Sequence, residues 1–166
     1  MAGREEPQAQ GTDPAAPEVA PQHRMTLGYL ISLLARLLAQ SLKVRNGPDG
    51  ILPGQYPIAV ELLAQDGMSQ RDLCEVVRIE QATMAKTLKR MERDGLITRR
   101  QSAEDGRLAT IHLTEEGARL ARAAVLNAAE VNGVALEGLD PAAQMALRDM
   151  LVDLTERLEA DIKRRG

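Results

Sequence analysis

The chain has 166 residues, a net charge of −3, one cysteine, two histidines, and neither tryptophan nor phenylalanine. This length suits one domain plus a tail, and a core limited to Leu, Ile, Val, Met and Ala favours helices packed on helices. A single cysteine excludes an internal disulfide framework and a cysteine zinc site, and the acidic total argues against nucleic-acid binding by the whole surface.

In chain order, Pro7, Pro14, Pro17 and Pro21 stand among Ala, Gln and Glu without apolar periodicity. Residues 1–24 are therefore expected to be a disordered tail. No signal-peptide core is found there, and no apolar run is read as long enough to span a bilayer, so a soluble cytoplasmic protein without a membrane partner is expected. From Met25 to Val44 the pattern turns helical. Leu27, Leu30, Leu34, Leu37 and Ser41 mark one stripe, and Ile31, Leu38 and Leu42 the next. So wide an arc predicts burial on two sides, by its own domain and by a partner subunit. Asn46 to Gly50 is loop chemistry.

A shorter helix is expected over Gln55 to Gln65, with Pro57 in its first turn and Tyr56, Ile58, Ala59, Leu62 and Leu63 inward. Asp66-Gly67 ends it. Ser69, with Asp72 three residues on, caps a helix to Val77 whose Leu73, Val76 and Val77 face the core. A second helix, Gln81 to Asp94, carries Met84, Leu88 and Met91 at core spacing, and Gly95 stops it. Strands Ile97 to Gln101 and Leu108 to Leu113 then flank a tip, Asp105-Gly106-Arg107. Thr114 caps an Ala-rich helix to about Leu136, and Gly138 breaks it. Asp140-Pro141 starts a last helix striped by Leu147, Leu151, Leu154, Leu158 and Ile162.

Helix, turn, helix and a basic-tipped hairpin make a winged helix-turn-helix. The expected fold class is mainly α with a small β-hairpin wing (α+β). The DNA-binding region is placed at 51–113, and a helical dimerisation region at 25–50 and 114–166. Residues 69–113 hold nine basic and seven acidic side chains, about +2 against about −5 elsewhere. The second helix has the size to enter a major groove. Gln81, Ala82, Thr83 and Lys86 lie on its first turns, where Gln can pair with adenine and Lys with guanine, although Thr83 can instead pack inward. Lys89, Arg90 and Arg93 lie further along and suit phosphates. Ser69 and Gln70 present a helix N-terminus, a phosphate grip as well as a cap. Arg107, oriented by Asp105, suits a narrow minor groove. The expected partner is double-stranded DNA.

Nothing points to catalysis. There is no phosphate-binding glycine loop, no H-E-x-x-H and no nucleophile elbow, and two isolated histidines do not make a metal cluster. A non-enzyme without cofactor or metal is expected. The reading that stays open beside DNA binding is a winged helix that docks a protein, which Glu80 and the net acidity favour.

The run Asp105-Gly106-Arg107-Leu108-Ala109-Thr110-Ile111-His112-Leu113-Thr114 resembles the D-x-R…L-T wing signature of the MarR family of transcriptional regulators. Met91-Glu92-Arg93-Asp94-Gly95-Leu96-Ile97 is similar to that family's L-E-x-x-G-L-I helix exit. The resemblance covers roughly Met25 to Lys163. It implies a homodimer on a pseudo-palindromic operator, usually a repressor, released by a small molecule that is often an aromatic carboxylate. It also implies a ligand cleft near the junction of dimer helices and DNA lobes, with His23, Arg24, Tyr29 and Tyr56 as candidates. Two departures stand out: Glu80 replaces a frequent Ser at the start of the recognition helix, and Met91 replaces Leu. Cys74 sits where the family often has Ala, and a buried structural thiol is expected there, not a redox switch.

Overall fold

The computed structural model describes residues 24–101 and 109–166. The chain divides into two units, residues 1–36 and 37–166. The expected tail lies, apart from Arg24, outside the described residues, and so does the hairpin tip at 102–108.

Helix α1 spans Leu27–Asn46 and buries only Leu42. Leu27, Leu30, Ile31, Leu34 and Leu37 are each at least 41% exposed. The membrane reading also needs correction. α1 is long and apolar enough, by length and composition, to cross a bilayer. Its charged residues, Arg36, Lys43 and Arg45, are absent from its first nine positions, which leaves a continuous apolar stretch at its start.

α2 covers Tyr56–Ala64, with Pro57 in its first turn and Ile58, Ala59 and Leu62 buried. A two-residue strand, β1 (Met68–Ser69), follows; nothing in the sequence periodicity announced it. It completes an antiparallel sheet of order β1-β3-β2 with β2 (Ile97–Gln101) and β3 (Ala109–Leu113). Met68 pairs with Ile111, and Ile97 with Leu113. The expected two-stranded wing is thus three-stranded at its base. The Asp66-Gly67 turn makes the third strand possible. Gly67 has φ +80°, and a Cβ there would lie 3.0 Å from the His112 ring. Its amide donates to the Ile111 carbonyl at 3.0 Å.

Asp66 clamps this turn to β3. Its Oδ1 accepts the Leu113 amide at 3.0 Å, and its Oδ2 lies 2.7 Å from His112 Nδ1. Partial burial pushes the carboxyl up, but the bonds from His112 and the Leu113 amide outweigh it and hold the group below the usual Asp range. A carboxyl depressed in the folded state adds stability above its unfolded value, about 3.9, and loses it as pH falls through the folded value. Asp66→Asn is accordingly expected to be less stable at pH 7 and to lose less stability between about pH 5 and pH 3. Urea titrations at a series of pH values check this; parallel curves for both proteins would remove the role.

α3 (Gln70–Val77) begins with the expected capping box: the Ser69 hydroxyl accepts the Asp72 amide, and the Asp72 carboxylate accepts the Ser69 amide. Leu73 is buried, but Val76 is 48% exposed, which corrects its inward placement. An eight-residue helix offers the core a narrow stripe, and Leu73 and Cys74 fill it. Arg78 closes the helix in the left-handed region, φ 60°, and forms an ion pair with Glu159. α4 (Gln81–Arg93) follows, and Gly95 turns the chain into β2 with φ +72°.

Thr114 caps α5 (Glu115–Ala135) by accepting the Gly117 amide. Gly117 has no room for a side chain, because a Cβ there would fall 1.9 Å from the Leu96 carbonyl oxygen. This close approach holds α5 against the exit of α4. α2 packs on α5. The core runs from Ile51 through Leu73, Leu88 and Ile111 to Ala124. α6 (Pro141–Arg165) starts on the Asp140 cap and buries no residue at all. Met145, Met150, Leu158 and Ile162 on it are each at least 56% exposed.

Candidate nucleic-acid interface

α4 divides sharply into two faces. Met84, Leu88 and Met91 are fully buried at 0% exposure, which fixes the helix's rotation about its axis. Gln81, Ala82, Thr83, Lys86, Lys89 and Arg90 are then exposed. Thr83 thus points outward, not into the core as the sequence alone allowed. Glu80 is the N-cap residue but makes no side-chain cap bond, so its carboxylate stays exposed beside the helix start.

An open cleft of about 400 Å³ on α4 is lined only by Lys86, Lys89, Arg90 and Arg93. Two of these cations share one carboxylate. Arg93 donates to Asp94 Oδ1 at 2.8 Å, and Arg90 Nε lies 3.7 Å from Asp94 Oδ2. Among the described residues no carboxylate pairs with Lys86 or Lys89. These two charges are available to an anion without first breaking an ion pair.

The two helices of the motif are joined at their starts, since Gln70 Nε2 donates to Gln81 Oε1 at 3.1 Å. This bond sets the N-terminus of α3 beside that of α4. Sequence spacing does not reveal it, because it crosses the turn between helices. Ser69 is doubly occupied, by its cap and by pairing with Thr110 in the sheet. Asp105 and Arg107 lie outside the described residues; the strands they join are paired as far as Gln101 and Ala109.

Comparison with known proteins supplies the family. A model of the MarR family matches residues 49–108. The chain is 34% identical over 99 residues to the organic hydroperoxide resistance transcriptional regulator of Bacillus subtilis, a match covering 60% of this chain and 67% of that protein. The chain belongs to the MarR family. Among solved structures, the PcaV transcriptional regulator of Streptomyces coelicolor, in complex with its natural ligand, is 27% identical with a TM-score of 0.71; the match covers 86% of this chain and 97% of that one. The transcriptional repressor CouR, bound to a 23-mer DNA duplex, is 26% identical with a TM-score of 0.71, over 81% of this chain and 96% of that one. This protein is a winged-helix transcriptional regulator of the MarR family, mainly helical with a small antiparallel sheet.

The four ligand candidates fall in different places. His23 lies outside the described residues, while Arg24 and Tyr29 belong to the first unit. Tyr56 belongs to the second, where it lines a cavity of about 230 Å³ with Leu38, Leu42, Pro53, Val131 and Asn132. Apart from Tyr56 and Asn132 the walls are aliphatic, and among the described residues no cationic side chain lines them. Cys74 is buried. Burial pushes its thiol up, and Glu80 and Glu75 push it further. A redox switch needs the opposite, an exposed and stabilised thiolate.

Proposed function

We propose that this MarR-family regulator is a cytoplasmic homodimeric repressor that binds a pseudo-palindromic operator and leaves it when a small aromatic effector binds. The observation that carries the DNA reading is the exposed face of α4, where Lys86 and Lys89 pair with no carboxylate among the described residues, on a helix locked by its buried methionines and Leu88. In this mechanism Gln81, Ala82, Thr83 and Lys86 meet base edges, while Lys89, Arg90, Ser69 and Gln70 meet phosphates. Arg107, held by Asp105, enters the flanking minor groove. The dimer reading is supported by the apolar residues that α1 and α6 leave exposed, an area that water makes costly. The Tyr56 cavity supports a small effector; Tyr56 and Asn132 are its polar handles. A ligand there acts to the extent that it prefers one spacing of the two DNA lobes over the other.

Fluorescence anisotropy with duplex DNA from upstream of the protein's own gene, against scrambled duplex at two salt concentrations, tests the reading. Specific, salt-sensitive binding is expected. Equal weak binding to both duplexes would instead favour a protein partner for the winged helix. In the same assay Arg107→Ala is expected to weaken binding by roughly tenfold, the usual effect of removing a charge-assisted hydrogen bond, while sedimentation still reports the dimer. Unchanged affinity would remove Arg107 from the interface.

A further inference from the structure

Asp66, His112 and Thr110 form a continuous chain of contacts at the base of the wing. Asp66 Oδ2 lies 2.7 Å from His112 Nδ1, His112 Nε2 lies 2.9 Å from Thr110 Oγ1, and Thr110 Oγ1 lies 3.3 Å from the Arg100 carbonyl oxygen. The chain runs from the turn before β1 to β3 and on to β2, so it crosses the whole sheet. The His112 side chain is 18% exposed and its ring packs beside Gly67, which holds both nitrogens on their partners.

This chain has room for one proton more than the neutral side chains supply. Asp66, held below the usual Asp range, is ionised and only accepts, as does the Arg100 carbonyl. His112 Nδ1 therefore carries a proton. Thr110 has a single hydroxyl proton and two acceptors within reach. When His112 is neutral, its bare Nε2 takes that proton and the Arg100 carbonyl receives none from Thr110. When His112 is protonated, Nε2 donates to Thr110 Oγ1, and the hydroxyl proton turns to the Arg100 carbonyl. All three contacts are hydrogen bonds at once only in the imidazolium form.

Proton uptake has two effects at this place. It ties β3 to β2 through a side chain, one pair before Gln101 and Ala109, the last described pair of the wing. It also adds a positive charge to the sheet face that carries Arg100. Ser69, Thr110 and Arg100 are direct cross-strand neighbours, so their side chains share that face, and His112 opposite Thr98 forms the next row on it. Asp66 and Arg100 are the charged groups on this face among the described residues; α2, α3 and α5 pack against the other face of β3, that of the buried Ile111. Ser69 begins α3 and is one of the phosphate contacts in the DNA reading above, on which the functional consequence rests. We propose that His112 is a proton sensor for the wing, whose protonation locks Thr110 onto β2 and strengthens the grip of the wing and of the α3 start on DNA.

Anisotropy titrations of the full chain with duplex from upstream of its own gene, at constant ionic strength from about pH 8 to about pH 5.5, span the range in which histidines titrate. Affinity is expected to rise by about tenfold as the pH falls, the usual effect of one charge-assisted hydrogen bond. His112→Gln takes up no proton and should keep the high-pH affinity throughout. Thr110→Val keeps the titrating ring but loses the bond to β2, and its response should shrink to about threefold or less. In the free protein the Arg100 carbonyl carbon resonance should move with the titration of the His112 ring, and should stay in place in Thr110→Val. An affinity independent of pH would overturn the proposal, and so would a full response in either variant. A carbonyl resonance that stays fixed in the natural sequence would overturn the proton relay itself, whatever DNA does. A resonance that moves in a protein binding no duplex specifically at any pH would refute the DNA reading and leave the relay standing.

Discussion

Leu88→Ala is expected to destabilise the protein by about 2–5 kcal/mol, a large part of the roughly 5–15 kcal/mol that holds a domain of this size. Leu88 is fully buried, and so are Met84 and Met91 on either side of it in the same stripe. Truncation removes apolar burial and leaves a cavity under α4. The flanking methionines are flexible enough to close part of it, which places the expected value toward the lower end of that range. Urea denaturation is the check: the midpoint should fall while the slope stays constant. A loss under about 1 kcal/mol would mean that the site collapses almost completely. Because this stripe sets the rotation of α4, DNA affinity is expected to fall even at temperatures where the variant remains folded.

The second large effect concerns function and leaves the fold in place. Replacing both Lys86 and Lys89 by alanine is expected to weaken DNA binding by roughly 1.5–3 kcal/mol for each charge-assisted hydrogen bond removed. The slope of log affinity against log salt should become shallower by about 1, for the one phosphate that Lys89 no longer neutralises. Both side chains are exposed, so thermal stability should hold. The pattern across operator variants separates the two residues. Removing a phosphate partner weakens all sequences alike, as expected for Lys89, whereas removing a base partner relaxes specificity at one position, as expected for Lys86. Arg90 and Arg93 are poorer subjects for this experiment, because removing either also removes an ion pair with Asp94.

The order of elements was readable from local chemistry. Ser69 with Asp72, Thr114, and Asp140-Pro141 mark helix starts through bonds made within three residues, and these formed as expected. Met84, Leu88 and Met91 recur at helical spacing, so the inward face of α4, and with it the outward face, followed from periodicity alone. What depended on distant parts of the chain was not readable. Strand β1 is two residues long and exists because β3 offers it a free edge and Asp66 clamps the turn. Val76 satisfies the apolar pattern yet is exposed, because burial depends on what packs opposite it. The Gln55 amide looks like an ordinary helix start until its surroundings show it buried with a donor unmet. The helices, the wing strands and the outward face of α4 were set by local sequence, since they rest on caps and periods within a few residues. The third strand and the Tyr56 cavity emerged only on folding, since each is assembled from residues that the chain alone does not place side by side.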